Sequence, residues 1–261
     1  MNNVYALERN SFNLEVIVLK MSHQLMKNFN YLVVDPISCQ SVIIDPAWQM
    51  DKIDEALINA RASLNGILIT HSHPDHIHLA KPLAKKYNCP IWMSNAEIAV
   101  SGFNADQLIG IDDTPWVVGK MLIQPILTPG HTSGCVCYLI GDNLFTGDVL
   151  FAEGCGVCPK IPAAYEMFSS LEKLKLQLKP QTLIFPGHSY GKPPGQSFSD
   201  LSNYNIYLHF RDKESFSAFR LRSQKKINLF DFKSVRCIKI RCCLMLPTCK
   251  HTHIQIHNMR K

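Results

Sequence analysis

The sequence lacks an apolar run of 18 residues, the length that a membrane-spanning helix requires, so we expect no helix across a membrane. Its first nine residues also lack a basic segment that leads into an apolar one. That pattern marks a secretory signal, and its absence favours the cytoplasm. No internal repeat stands out along the chain.

Excess positive charge is absent from most of the chain, although the formal net charge is +6. Ten of the 27 basic residues but only one of the 21 acidic residues lie in residues 222–261. Residues 1–221 therefore carry a formal charge of −3. A nucleic-acid-binding domain presents a basic face, and none is evident here, so the charge balance argues against a nucleic-acid partner.

The ten cysteines follow no disulfide or structural zinc pattern. Without a secretory signal, reduced thiols are expected. Cys155 and Cys158 form a lone CxxC, but no thioredoxin-like pattern surrounds them, so we do not interpret the pair as redox-active.

The order of predicted elements indicates the fold class. Apolar residues make up 46% of the chain, which is ample for a core. Strands are predicted at 14–19, 29–34, 41–45, 66–70, 91–93, 121–127, 135–140 and 182–185, and helices at 51–62, 76–87 and 163–178. Pro82 should make the second helix irregular near its start. This order predicts an α/β (α+β) fold, an αββα sandwich of two packed sheets with helices outside.

The composition changes near residue 222 and indicates two regions. Residues 1–222 hold all the predicted elements and are expected to form one domain. Residues 223–261 are basic, carry cysteines and histidines, and show no clear periodicity. We expect this second region to be a poorly ordered tail.

A short loop after the predicted strand 66–70 carries an unusual density of metal-binding groups. It reads His71-Ser72-His73-Pro74-Asp75-His76. Imidazole and carboxylate are ligands of divalent zinc or iron. His71 and His73 point one way, whereas Asp75 and His76 cannot easily reach the same centre, so the spacing suggests more than one ion.

Three further candidates lie at strand ends beside glycine, where binding sites are commonly built: His131, Asp148 and His188. With them the chain resembles the metallo-β-lactamase superfamily over about residues 14–210. The motifs that carry the resemblance are Thr70-His71-Ser72-His73-Pro74-Asp75-His76, Gly130-His131, Gly147-Asp148 and Gly187-His188.

The resemblance implies two zinc ions per subunit. One ion would be bound by His71, His73 and His131, the other by Asp75, His76 and His188, and Asp148 would bridge them. Asp45 has two readings that remain open: an acceptor that orients the ligand loop, or a simple turn at a strand end.

Two cations that share a water lower its pKa from about 15.7 toward 7, which provides hydroxide for attack on an acyl bond. One cation also stabilises the oxyanion that forms. Asp75 is the expected catalytic residue, because it can hold the hydrogen of the bridging hydroxide while it binds metal. A thioester suits this chemistry, since its thiolate leaves with a pKa of about 8.5 and needs no general acid.

Four segments carry a more specific resemblance, which covers most of residues 1–222. The segments Asp45-Pro46-Ala47-Trp48, Phe151 to Cys158, Pro186 to Gln196 and Asn205-Ile206-Tyr207 are similar to zinc-dependent hydrolases of bacterial polyketide clusters of the bacillaene type. The resemblance implies cleavage of acyl groups from acyl carrier proteins during antibiotic biosynthesis. We expect the loops 151–158 and 188–196 to form the mouth that admits a pantetheine thioester, although rigid packing turns are an alternative.

Three other functions remain open. The Gly-Cys-Gly at 154–156 resembles glyoxalase II, a hydroxyacylglutathione hydrolase, but Val157 stands where that family has a basic residue. A persulfide dioxygenase with one iron is another enzymatic alternative. A metal-binding interaction module whose basic tail contacts an acidic partner is the non-enzymatic one.

Overall fold

Strands whose residues are mostly buried form the centre of the first sheet. The computed structural model describes residues 14–24 and 26–222. Its first sheet contains, in spatial order, β1 Glu15–His23, β2 Met26–Val34, β3 Gln40–Ile44, β4 Ser63–Leu68, β5 Ile91–Ser94 and β6 Leu108–Ile111. The first three strands pair antiparallel, and β3 to β6 run parallel.

The second sheet also has six strands and is mainly antiparallel. They are β7 Trp116–Val118, β8 Met121–Leu127, β9 Val136–Ile140, β10 Asn143–Gly147, β11 Leu183–Pro186 and β12 Gln196–Ser197. The spatial order is β12-β11-β10-β9-β8-β7. Strands β10 and β11 pair in parallel, which brings their carboxyl ends to the same edge of the sheet.

Helices cover the outer faces of both sheets. They are α1 Met50–Asn59, α2 Pro74–Ile77, α3 Ala80–Tyr87, α4 Asn95–Ser101, α5 Ile161–Gln177, α6 Phe198–Tyr204 and α7 Lys213–Arg220. One apolar layer packs the first sheet against α1 and α3, and another packs the second sheet against α5 and α7. A third layer lies between the sheets. The predicted αββα sandwich is confirmed.

Strand β2 shows how sequence periodicity builds these layers. Tyr31 and Val33 point into the layer between the sheets, whereas Leu32 points into the layer beneath the helices. Side chains alternate across a strand, so consecutive apolar residues serve opposite faces of a fully buried sheet. The Tyr31 hydroxyl also donates to the Pro186 carbonyl at 2.5 Å, which fastens β11 of the other sheet to β2.

The structure differs from the predicted elements at one helix and in three stretches for which none is predicted: residues 95–118, residues 143–147, which form β10, and residues 196–220, which contain β12, α6 and α7. The helix predicted at 76–87 is two helices, α2 and α3, and Pro82 lies in the first turn of α3, where it is tolerated. The stretch from residue 95 to 118, for which no element is predicted, contains α4, β6 and β7.

The expectation for residues 223–261 lies outside the described part of the chain. Among residues 14–24 and 26–222, no helix is both long and apolar enough to cross a bilayer.

Candidate metal centre

The seven predicted ligands lie just after four strands. The loop with His71, His73, Asp75 and His76 follows β4, and His131, Asp148 and His188 follow β8, β10 and β11. Because the sheets face each other, the strand ends meet at one edge of the sandwich. The structure brings all seven side chains together there.

Three imidazoles form the first ligand group, His71, His73 and His131. His73 is central, because its Nδ1 lies 3.0 Å from His71 Nε2 and 3.0 Å from His131 Nε2. The three ring nitrogens lie within 4.8 Å of one another and would suit a zinc ion.

Two imidazoles and a carboxylate form the second ligand group, Asp75, His76 and His188. Asp75 Oδ2 lies 3.2 Å from His188 Nε2 and 3.7 Å from His76 Nε2. Both ligand groups therefore contain two residues of the loop after β4. Each takes its third residue from a different strand end, His131 after β8 and His188 after β11.

Asp148 stands between the two ligand groups. Its Oδ2 lies 3.5 Å from His131 Nε2, in the first group. Its Oδ1 lies 3.5 Å from His76 Nε2 and 3.6 Å from His188 Nε2, in the second. Each carboxylate oxygen thus faces a different group, which is the arrangement that a bridging ligand requires.

Hydrogen bonds on the far side of the rings decide which nitrogen is available. His131 Nδ1 lies 2.8 Å from the Val157 carbonyl, and His188 Nδ1 lies 2.8 Å from the Lys27 carbonyl. A carbonyl only accepts, so each Nδ1 carries the proton and each Nε2 presents a lone pair.

Asp45 likewise places the ring proton of His71 and His76 on Nδ1. His76 Nδ1 donates to Asp45 Oδ2 at 2.9 Å. The same oxygen accepts the Thr70 hydroxyl at 2.6 Å, and Asp45 Oδ1 accepts the Thr70 backbone N–H at 2.8 Å. The Thr70 oxygen is then free to accept from His71 Nδ1 at 3.0 Å. The structure supports the reading of Asp45 as an acceptor that orients the loop.

The electrostatics of the second ligand group favour a cation. Burial disfavours a charged His76, but the negative charges of Asp148 and Asp45 outweigh burial and raise its pKa to about 9. Burial also opposes ionisation of Asp75, yet its hydrogen bond with His188 and the charge of His76 lower its pKa to about 2. Positive charge among ionised carboxylates is therefore stabilised here, as a divalent metal would require.

The first ligand group favours neutral rings. Burial lowers the pKa of His71 well below its usual range, and nearby His76 and His131 lower it further. Burial also lowers the pKa of His131. Neutral imidazole is the form that binds metal.

Two buried polar atoms also indicate that the centre fits a metal ion. His76 Nε2 and Asp148 Oδ1 are buried and have no hydrogen-bond partner among the described residues. Burying such atoms without a partner costs free energy, and a metal ion would supply the missing interaction. Gly187 leaves room for them, because a Cβ there would lie 2.7 Å from Asp148 Oδ1. The donor set fits two zinc ions.

Two polar residues that support the ligand loop were not among the residues predicted from the sequence. Asn28, on β2, donates from Nδ2 to the Asp75 carbonyl at 2.6 Å and is almost fully buried. Glu97, on α4, accepts from Ser72 and is fully buried. Neither residue belongs to a motif, and only the start of α4 has a local signal, the spacing Ser94-x-x-Glu97 typical of a helix N-terminus.

The two mouth loops lie beside the centre. Phe151 packs edge-on against Tyr190, and its ring centroid lies 6.3 Å from that of His188. Glu153 joins the loops, since it accepts from the Lys192 backbone N–H at 2.6 Å. The Tyr190 side chain is 71% exposed, so it is accessible at the rim.

The CxxC pair has no feature of a reactive thiol. Cys155 and Cys158 are both buried and free. Burial raises the pKa of Cys158 to about 11 and that of Cys155 further. Reactive cysteines have a lowered pKa and are accessible, so both thiols serve packing.

Comparisons with known proteins indicate the family to which this chain is related. A family model described as the metallo-beta-lactamase superfamily matches residues 30–188. The chain is 42% identical over 221 residues to the "probable polyketide biosynthesis zinc-dependent hydrolase BaeB" of Bacillus velezensis, an alignment that covers 84% of this chain and 98% of that protein. It is 34% identical over 210 residues to a hydroxyacylglutathione hydrolase of Brucella ovis, covering 77% of this chain and 76% of that one.

A solved structure shows the same architecture. A metallo-beta-lactamase from Staphylococcus aureus superimposes with a TM-score of 0.73 at 21% identity, covering 81% of this chain and 68% of that chain. At this identity the likeness concerns the fold alone. The family match extends over more than half of the chain and includes all seven residues of the centre. The protein therefore belongs to the metallo-β-lactamase superfamily.

Proposed function

We propose that the protein is a zinc-dependent hydrolase that cleaves acyl thioesters, and that its substrates are acyl groups carried by acyl carrier proteins in polyketide biosynthesis. The observation that carries the proposal is Asp148, whose two oxygens face two separate ligand groups. The relative BaeB, named as a polyketide biosynthesis zinc-dependent hydrolase, aligns over 98% of its length and supports the biosynthetic role.

The seven residues have defined roles in this proposal. His71, His73 and His131 would hold one zinc ion, and Asp75, His76 and His188 the other, with Asp148 shared. Bound zinc would lower the pKa of a shared water and polarise the thioester carbonyl.

Asp75 has a second role beside ligation. Its lowered pKa of about 2 keeps the carboxylate ionised at neutral pH, so it can accept a hydrogen bond from the attacking water. The hydrogen bond that Asn28 donates to its backbone carbonyl fixes the start of α2 and so the direction of the carboxylate.

Departure of the thiol requires no acid from the chain. An alkyl thiolate has a pKa of about 8.5 and leaves without prior protonation. The nearby thiols of Cys155 and Cys158 are buried with raised pKa values and are poor proton donors at neutral pH. A thioester therefore suits this centre better than an amide.

The mouth loops supply a surface for the pantetheine arm. The arm is apolar and amide-bearing, and the exposed side chains of Val157 and Tyr190 offer it an apolar and aromatic rim. Val157 is also bonded through its carbonyl to His131, so this rim is attached directly to the first ligand group. We infer that the substrate enters between these two loops.

The deciding experiment combines metal analysis with a panel of substrates. Purified full-length protein should contain two zinc ions per chain and hydrolyse acyl-carrier-protein thioesters faster than acetyl-CoA or hydroxyacyl-glutathione. One iron per chain with oxygen consumption would contradict the proposal and favour a persulfide dioxygenase.

A hydroxyacylglutathione hydrolase is the second candidate, because the chain is 34% identical to such an enzyme from Brucella ovis. Exposed Val157, where glyoxalase II has a basic residue, argues against it. Faster turnover of hydroxyacyl-glutathione than of carrier-protein thioesters would favour this candidate.

The mouth is tested separately with Tyr190→Ala and Val157→Lys. Each should raise KM for a carrier-protein thioester by several-fold (about the effect of one lost contact of 1 kcal/mol) and leave zinc content at two. If turnover of the carrier-protein substrate is unaffected by both changes, the loops do not form the mouth.

A further inference from the structure

Glu97 is a fully buried carboxylate that none of the ligand motifs includes. Its Oε1 accepts from the backbone N–H of Ser72 at 2.8 Å and from the Ser72 hydroxyl at 2.5 Å. Its Oε2 accepts from the Thr132 hydroxyl at 2.6 Å. The side chain therefore has three donors, all from two loops outside its own helix.

These two loops are the ones that carry the first ligand group. Ser72 lies between His71 and His73, and Thr132 directly follows His131. Glu97 thus connects the loop after β4 to the loop after β8 through residues adjacent to all three imidazoles. We name this set, Ser72, Glu97 and Thr132, the carboxylate clasp.

The local sequence would suggest a different partner for Glu97. Ser94 caps α4, and its hydroxyl accepts from the Glu97 backbone N–H at 3.0 Å. A glutamate three residues after such a cap commonly bonds back to the N-cap backbone. Here the carboxylate turns instead to the ligand loops, so helix α4 is fixed at its start and its glutamate is available to join them.

Close packing holds the clasp in place. A Cβ at Gly134 would lie 2.1 Å from the Glu97 backbone nitrogen, so only glycine allows α4 to approach this loop. The Ser94 hydroxyl donates to the Gly134 carbonyl at 2.5 Å. The start of α4 is thus bonded to the loop after β8 through both Ser94 and Glu97.

We propose that Glu97 is a positioning residue that sets the spacing of His71, His73 and His131 and thereby the zinc affinity of the first ligand group. The inference rests on the zinc ligation in the proposed function but not on the substrate. Groups that orient metal ligands from outside the ligand set typically contribute about 10- to 100-fold in metal affinity.

The second ligand group supplies an internal comparison. Besides Asp45, which serves both groups, its supports are Asn28, which bonds the Asp75 carbonyl, and Lys27, whose carbonyl bonds His188. Glu97 makes no hydrogen bond to Asp75, His76 or His188 among the described residues. A change at Glu97 should therefore weaken one group selectively.

The experiment measures zinc affinity of the full chain by competition with a chelating dye, in two backgrounds. His188→Ala leaves the first ligand group intact, and His71→Ala leaves the second. Glu97→Gln should weaken zinc binding about tenfold in the His188→Ala background and leave it within about twofold in the His71→Ala background. When cobalt replaces zinc, Glu97→Gln should change the absorption spectrum in the His188→Ala background only.

Asp35→Asn is the matched control. Asp35 is also fully buried, and its carboxylate also accepts three bonds from two segments, through Ile37, Ser38 and the Lys120 backbone. Asp35 follows β2 and lies beside the start of β3, at the opposite end of that strand from Asp45 and the metal centre. Asp35→Asn should lower thermal stability without changing zinc affinity in either background.

Three outcomes of the Glu97→Gln experiment would overturn the inference. Equal losses in both backgrounds would make Glu97 a general stabiliser, and unchanged affinity in both would remove its role. A wild-type chain that binds no zinc would overturn the proposed function as well, which distinguishes the two failures. If Glu97→Gln does not fold, Thr132→Val decides, since wild-type affinity in the His188→Ala background would overturn the clasp.

Discussion

The two ligand groups share a loop but are supported in different ways. The first is all imidazole and is joined through Glu97 to the loop after β8. The second contains a carboxylate and is supported from β2 by Asn28 and the Lys27 carbonyl. The loop after β4 can therefore contribute to two metal sites, because each ligand group is also held by a contact that the other group lacks. Each of these contacts can be removed by mutation without changing the other.

The groups also differ in charge. In the first, burial lowers the pKa of His71 and His131, and the rings stay neutral. In the second, burial opposes protonation of His188, but its hydrogen bond with Asp75 and the charge of Asp148 raise its pKa. The first group offers lone pairs, whereas the second offers negative charge, and Asp148 belongs to both.

The largest effect is expected from Asp148→Ala, which removes the two carboxylate oxygens that face the two ligand groups. Zinc affinity should fall by more than about 100-fold at both groups, beyond the loss caused by residues outside a ligand set. Metal content after dialysis and thioester turnover provide the measurements. Asp142→Ala, at an exposed ion pair with Lys179, should retain two zinc ions. Retention of both ions in Asp148→Ala would exclude a bridging role.

Variants that lack one ligand test whether the two groups bind zinc independently. His71→Ala and His188→Ala should each retain about one zinc ion, because each leaves the opposite trio complete. Metal analysis of dialysed protein gives the stoichiometry. His209→Ala, outside both trios, serves as the control. Loss of both ions from either variant would show that the two groups bind cooperatively rather than separately.

Asp45→Asn should have an intermediate effect on both groups. Asp45 bonds His76 directly and reaches His71 through Thr70, so an amide in its place removes an acceptor from each group. We expect a loss of about 10- to 100-fold in zinc affinity in both the His71→Ala and the His188→Ala backgrounds. A loss confined to one background would show that Asp45 serves only that group.

Asn28→Ala should have the smallest effect and the opposite selectivity to Glu97→Gln. It removes the bond to the Asp75 carbonyl, so zinc affinity should fall by up to about tenfold in the His71→Ala background. The His188→Ala background should be unaffected. Dye competition measures both. Asn143→Ala, whose amide donates to the Ile140 carbonyl within its own turn, is the control. The same loss in both backgrounds would mean that the supports are not separate.

The ligand positions could be predicted because each has a local signal. His131, Asp148 and His188 follow apolar strands and stand beside glycine, and such positions converge in a sandwich. The supports have no such signal. Asn28 lies on a strand predicted to begin at residue 29, and its burial depends on the opposing loop rather than on its neighbours.

Glu97 shows why a functional contact can escape sequence reasoning. It lies 21 residues beyond the nearest ligand in sequence, in a stretch whose strands β6 and β7 have only four and three residues. The Ser94-x-x-Glu97 spacing predicts where a helix begins but not where its carboxylate points. That direction follows from the approach of α4 to Gly134, a contact between distant segments.

The position of the ligands at the ends of four strands has a consequence for how the chain folds. The first ligand group needs β4 and β8, and the second needs β4 and β11, so neither is complete until the two sheets have packed. Long-range contacts of this kind require a large entropy cost of loop closure before they stabilise the chain. We expect the ligands to assemble after the transition state, so zinc should slow unfolding of the finished sandwich and leave the rate of folding unchanged.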